Sequence, residues 1–337
     1  MKTVSKDAAA KEKRGGKLKE IVKSREFFTF CLLVVVFLFA FMLSDSFRDL
    51  TYILKCATRY VELGMVAYTL TFIIIAGMID LSAPGVMCCS ATIAATVFHM
   101  GAGMGLALAA GLLTGLILGA INGLLISYAK LPAMIVTIGT MNAFRGIAQI
   151  LIGDKSLGKF PEWFNSWEKI PVFKIGTANF SVTLLLFVLL GVVAWIVLHK
   201  TRFGRTVFAI GANEHAAVCA GVNTQRVKFA LFCAEGVMCA VAGILTMSRL
   251  QLVRFDMALN QEVDIITMVL LGGTDINGGR GGILGTFLAV LLVIILKTGL
   301  IVANITSDQQ TFVMGLILLL SIIVPNIMDV AKKRKDK

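Results

Sequence analysis

Few residues in this chain carry groups that can do chemistry, and those few sit in apolar surroundings. Asp80 lies in "AGMIDLSAPG" (76–85) and is the first charge after Glu62. Arg145 lies in "LPAMIVTIGTMNAFRGIAQILIG" (131–153), preceded by Thr137, Thr140 and Asn142. Asn122 and Glu235 are isolated in long apolar runs. An unpaired carboxylate or guanidinium at the centre of a bilayer costs about 2.5–3.5 kcal/mol even on the lenient insertion scale. Such residues either pair inside the protein or line a water-filled path. Asp80, Asn122, Thr137, Asn142 and Arg145 are therefore the candidate pathway or gate residues, with structural pairing as the competing reading. Glu235 has a simpler expectation, snorkelling or pairing with Lys228. Ser82 is expected to N-cap a new helix, with Pro84 in its first turn, so the chain breaks and restarts around Asp80.

Catalytic constellations are not visible. His99, His199 and His215 are far apart, and there is no HExxH or paired His/Asp set. The seven cysteines include no CxxC and no zinc spacing. No catalytic, metal or cofactor residue is assigned, and an intramembrane enzyme is set aside. "LLGGTDINGGRGGILGT" (270–286) is rich in glycine but lacks GK[ST] and a β-α-β context, so it reads as tight turns and close helix packing, not a phosphate loop. Gly77-x-x-Asp80 and Gly272-x-x-Asp275 hint at an internal duplication.

The elements that must position these residues are membrane spans. Hydrophobic residues make up 57% of the 337 and charged ones only 15%, against about 25% charged in soluble domains. Apolar runs of about 20 residues recur, each long enough to cross a hydrocarbon core of ~30 Å. The fold class is all-α, because a spanning helix satisfies its own backbone groups. Ten transmembrane helices are expected, at 27–43, 60–79, 86–101, 104–127, 133–152, 180–198, 228–248, 262–274, 283–303 and 310–328. The eighth is weakest, since Glu262 and Asp264 open it. A full crossing is preferred there to a re-entrant loop. The first run is too long for a signal peptide and lacks a small-x-small cleavage site.

Charge sets the sides. The net charge is +12. Residues 1–25 hold nine Lys/Arg and three acids, and residues 331–337 hold five and one. These basic tails flank apolar runs, which marks cytoplasmic N- and C-termini and argues against nucleic acid. Lys130 and the segment 199–227, with Lys200, Arg202, Arg205 and Arg226, fall on the same side. The chain thus divides into a basic tail (1–25), a single transmembrane domain (26–330) and a second basic tail (331–337). The loop 154–179, with Trp163 and Trp167, is the longest external segment. It reads as an interfacial anchor or a docking surface.

Within 199–227 lies "AIGANEHAAVCAGV" (209–222). Asn213 is a good N-cap, Glu214 suits the positive end of a helix dipole, and Gly221 suits a left-handed C-terminal position. A free helix this short is unstable in water. It must dock on its own spans or on a partner, and Ala217 is the residue where added bulk is expected to disturb partner docking.

Four separated motifs resemble one family. "TRFGRTVFAIGANEHAAVCAGV" resembles the TxFGR…AIGxNxxAAxxxGI loop of ribose-type ABC importer permeases, at Thr201, Phe203, Gly204, Arg205, Ala209, Ile210, Gly211, Asn213, Ala216, Ala217 and Gly221, with Val222 where the family has Ile. "AGMIDLSAPG" is similar to its GGIDLSVGS, with Ala76 for Gly and an extra Pro84. "LPAMIVTIGTMNAFRG" and "VLLGGTDINGGRGGILGT" match its LPxFIxTLGxxxxxRG and VxLGGTxxxGGxGxxxGT segments. The resemblance covers about 60–330. It implies a permease of the bacterial inner membrane that pairs with an identical or related second permease. An ABC ATPase with two nucleotide-binding cassettes would use ATP and Mg outside this chain. An extracytoplasmic binding protein would deliver a ribose-like or related sugar. Gly211, Asn213, Glu214, Ala216, Ala217 and Gly221 would then couple the chain to the ATPase. The alternative is a proton- or ion-coupled secondary transporter using Asp80 or Glu235.

Overall fold

The structure is a computed structural model that describes residues 25–43, 47, 49–165, 167, 171–175 and 178–335. The N-terminal basic tail therefore lies almost wholly outside the described residues.

Apolar periodicity builds ten membrane helices in the expected order. They are α1 (Arg25–Leu43), α2 (Leu50–Ile75), α3 (Ala83–His99), α4 (Met104–Ser127) and α5 (Ala133–Ile152), then α7 (Val182–Lys200), α10 (Thr224–Leu250), α11 (Glu262–Leu271), α12 (Ile283–Val302) and α13 (Ser307–Lys335). Three short helices lie in the connections: α6 (Glu162–Asn165), α8 (Arg202–Ala212) and α9 (Glu214–Cys219). Six of the ten are long and apolar enough to cross a membrane by length and composition alone, and α3 is a shorter apolar helix. The all-α expectation gains two small exceptions. Strand β1 (Leu157–Gly158) pairs antiparallel with β4 (Leu252–Val253), and β2 (Pro171–Ile175) with β3 (Ala178–Ser181).

α2 is the central helix. It packs against α7, α10, α11 and α12, and 83% of its most apolar window is buried, against 22% for α7. It also begins ten residues before the expected span, because Asp49 caps it: Oδ1 accepts from Thr51 N at 2.8 Å. Glu62, just beyond those extra turns, is buried in the bundle. There Arg249 of α10 donates to both its carboxylate oxygens, at 3.0 and 2.8 Å, and the Thr246 hydroxyl donates at 2.7 Å. α4 and α10 approach most closely. Gly115, Gly119 and Gly123 repeat every four residues, and a Cβ on Gly115 or Gly119 would collide with the backbone of Gly236 or Phe232. Small residues at such spacing let membrane helices touch backbone to backbone.

Two boundaries depart from expectation. α13 continues as helix through Lys335, so most of the C-terminal basic tail is helical. The eighth span has only ten helical residues, Glu262–Leu271. Ten residues rise about 15 Å, half of a ~30 Å core. The expected helical span of 262–274 is therefore corrected to a ten-residue helix preceded by the irregular segment 254–261. Asp264 in its first turn is paired with Lys297 of α12, whose ammonium also sits over the Tyr60 ring. That pairing explains how charged residues are accommodated at the start of the span.

Candidate functional site

The break near Asp80 forms as the sequence suggests, by different contacts. α2 ends in a left-handed glycine, Gly77 (φ 80°), with Met78 N bonded to Ile73 O at 3.1 Å. α3 restarts at Ala83 with Pro84 in its first turn. Ser82 does not cap it with its side chain. Asp80 takes that hydroxyl instead: its Oδ1 accepts from Ser82 N at 2.7 Å and from Ser82 Oγ at 2.6 Å. Asn122 of α4 donates to Ser82 Oγ at 2.7 Å. The Thr137 hydroxyl of α5 lies 3.5 Å from Ile79 O. Asp80, Asn122 and Thr137 are all buried, so three of the five pathway candidates meet in one knot around the break. Glu235 joins its rim. It is 1% exposed, and the Cys239 thiol lies 4.0 Å from its Oε1. It neither snorkels nor pairs with Lys228, whose ammonium lies 2.6 Å from Glu214 Oε1.

A second turn of the same construction follows α11. Gly273 has φ 88°, Thr274 N bonds to Val269 O, and Asp275 Oδ1 accepts from Asn277 N at 3.1 Å. The counterpart of Gly77 is thus Gly273, not the Gly272 suggested by the sequence repeat. The two turns touch. Gly279 N donates to Ile75 O at 2.8 Å, and a Cβ on Gly278 would come within 2.9 Å of Gly77 Cα. Gly211, at the end of α8, closes the junction, since a Cβ there would collide with Ile75 O and Gly279 N. Three chain segments distant in sequence meet through glycine backbones.

The segment 199–227 forms two helices, where one was expected. Thr201 caps α8 by accepting from Gly204 N at 3.3 Å. Asn213 ends α8 and caps α9, its Oδ1 accepting from Ala216 N at 3.0 Å. Gly221 takes φ 83°. Partial burial alone would raise the Glu214 carboxyl, but the Lys228 ammonium beside it holds it below its ordinary range. Asn213, Glu214 and Ala216 are exposed, whereas Ala217 is buried against its own bundle. Ala217 is therefore an anchor of α9, and the surface free to meet a partner is formed by its neighbours.

Arg145 and Asn142 belong elsewhere. Arg145 of α5 donates through Nη1 to Phe255 O at 3.0 Å and Met257 O at 3.1 Å, and through Nη2 to Ala258 O at 3.5 Å. Cys88 of α3 donates to Phe255 O at 3.1 Å. Together they hold the irregular segment that precedes α11. Asn142 is exposed one turn below Arg145, with its amide on Ile138 O. Sequence reasoning missed this segment, because "QLVRFDMALNQ" has no pattern that distinguishes it from an ordinary surface loop. Among the described residues no group of His, Cys, Asp and Glu could hold a metal ion.

A family profile described as branched-chain amino acid transport system / permease component matches residues 52–322. The ribose import permease protein RbsC of Bacillus subtilis (strain 168) is 34% identical over 292 residues, covering 87% of this chain and 90% of that one. The autoinducer 2 import system permease protein LsrD of Escherichia coli (strain K12) is 33% identical over 298 residues, covering 86% and 89%. LsrD of Shigella flexneri matches with the same figures. No solved structure matches the chain.

Proposed function

The chain belongs to the family of branched-chain amino acid transport system permease components, and from that premise we infer that it is the membrane subunit of a binding-protein-dependent ABC importer for a ribose-like sugar or related carbohydrate. Its relatives of known role import ribose and autoinducer 2. The chain supplies the path, and a partner ATPase with two cassettes binds and hydrolyses ATP with Mg. A second permease completes the path, and an extracytoplasmic protein delivers the sugar at the bacterial inner membrane.

The observation that carries this reading is the glycine junction. α9 presents Glu214 and Ala216 outward, the surface on which an ATPase would press. α8 joins α9 through Asn213, which serves both helices. The same end of α8, at Gly211, has no side chain between it and the end of α2 or the turn after α11. Backbones in direct contact deform little, because packed interiors have low compressibility. A push on α9 therefore reaches Gly77, and with it the Asp80 break, without loss in flexible side chains. Gly211, Asn213, Glu214, Ala216, Ala217 and Gly221 are the coupling residues in this scheme, with Gly211 and Ala217 acting from the inner side.

The test is purification of the solubilised protein from its native membrane, followed by D-ribose uptake in proteoliposomes. An ATPase co-purifies, and uptake requires ATP and survives collapse of the proton gradient. Uptake that runs without ATP and stops with the proton gradient would overturn the reading in favour of a carrier using Asp80 or Glu235.

A further inference from the structure

α1 sits at the edge of the bundle. It packs along α12, and its Thr29 hydroxyl donates to Leu271 O at the end of α11, at 2.7 Å. A groove of about 560 Å³ separates it from α2 and α7. Every side chain that lines this groove is apolar. Its floor belongs to the core, since Ala57 and Val61 of α2, Phe187 of α7 and Ile294 of α12 are buried. Its mouth does not: Val34 and Leu38 of α1, and Leu185 and Val188 of α7, also line it and are exposed. The groove therefore opens sideways, between α1 and α7.

Three properties decide what fills it. Protein interiors are close-packed, and walls without partner atoms forfeit their dispersion contacts. Water is a poor filler, because a buried water needs two to four polar partners and the lining offers none. The lining runs from Ile53 to Val61 on α2 and from Phe287 to Ile295 on α12, about 12 Å of helical rise on each. Spread over that length, 560 Å³ is a section of about 47 Å², against about 80–110 Å² for a helix 10–12 Å across. A helix from another chain is too thick. α2, α7 and α12 are each long and apolar enough to cross a membrane, so the medium at the mouth is hydrocarbon. The slot is narrow, apolar and parallel to the helices, which is the shape and direction of an acyl chain in a bilayer.

We propose that the groove binds an acyl chain of a membrane phospholipid, and that this chain is the packing partner that seats α1 against α2 and α7. The inference needs only that α2, α7 and α12 are membrane helices, so it and the importer reading can fail separately.

The test uses the full chain in nanodiscs of phosphatidylcholine that carries a photoactivatable diazirine midway along one acyl chain. Bulk lipid touches exposed positions such as Leu113 and Ile117 of α4, which serve as the reference. α2 is mostly buried, so bulk lipid does not reach Ala57 or Val61. After irradiation, mass spectrometry should find adducts within Ile53–Val61 at a level comparable with the α4 reference. Ala57→Phe puts a ring into the groove from its floor and should cut α2 labelling about fivefold, with α4 labelling unchanged. Val188→Trp blocks the exposed mouth instead, should Ala57→Phe fail to fold. Removing lipid in detergent should speed amide exchange in α1 and leave α10 unchanged. Labelling of α4 without α2 overturns the site, whether α1 closes the groove or a second copy covers it. Labelling of α2 that neither variant lowers overturns the groove as its source. Exchange in α1 that ignores lipid removal overturns the seating role.

Discussion

The two ends of the bundle are held by opposite means. At one end, α8, the end of α2 and the turn after α11 meet through Gly211, Gly77, Gly278 and Gly279, with main chain against main chain. At the other, one guanidinium on α5 holds three carbonyls of the segment 255–258, and one ion pair pins the helix that follows it. The first arrangement has no freedom to rearrange short of separation. The second opens when a few hydrogen bonds exchange. Under the proposed coupling scheme, the stiff contact stands where force would enter and the releasable one where the path would change shape.

Four substitutions break or sharpen this contrast, in falling order of effect. Lys297→Ala leaves Asp264 buried without its partner. Removing one partner of a buried pair destabilises by about 3–5 kcal/mol, so the midpoint of thermal unfolding in detergent should fall most here. Replacing both residues with Leu should recover much of it. Gly211→Ala forces a Cβ into Ile75 O, and overpacking of this kind costs about 3 kcal/mol. Its loss should appear as global unfolding, since no local motion relieves the collision. Arg145→Ala removes donors from three carbonyls, about 2 kcal/mol. Its signature should be local: faster amide exchange in 254–261 with a nearly unchanged unfolding midpoint. If Arg145→Ala lowers the midpoint as far as Gly211→Ala, the two ends are not different in kind.

The smallest effect is one of pH. Lys228 holds the Glu214 carboxyl below its ordinary range. A depressed folded-state pKa adds stability above the unfolded value, near pH 4.3, that is lost as pH falls through the folded one. Amide exchange in α9 should therefore accelerate in that acid range, and Glu214→Gln should remove the dependence.

Much of this was legible in the sequence, because local chemistry dictates it. Asn213 and Gly221 delimit α9 by capping alone, and Pro84 marks the restart of α3. Apolar runs locate ten helices in order. What was not legible depends on contacts made across long stretches of chain. Ser82 looks like an N-cap until Asp80 takes its hydroxyl. Glu235 has Lys228 within two turns, yet Lys228 pairs with Glu214 and Glu235 faces the core. Arg145 shows itself as a buried cation needing a partner, but three backbone carbonyls more than a hundred residues away leave no mark in composition. Small residues such as Gly211 and Ala217 carry no sign of which surface they face.

The ten-residue length of α11 also bears on how the chain enters the membrane during synthesis. A segment that short is not recognised as a span by its own hydrophobicity, and Asp264 lowers its chance further. α11 is the poor candidate for insertion alone, and α12, though it carries Lys297, is long and apolar enough to cross by itself. Leaving the translocon with α12 as a hairpin, with the two charges neutralising one another, α11 becomes acceptable to lipid. The ion pair that stabilises the finished bundle thus also sets a biogenesis rule: the eighth span waits for the ninth.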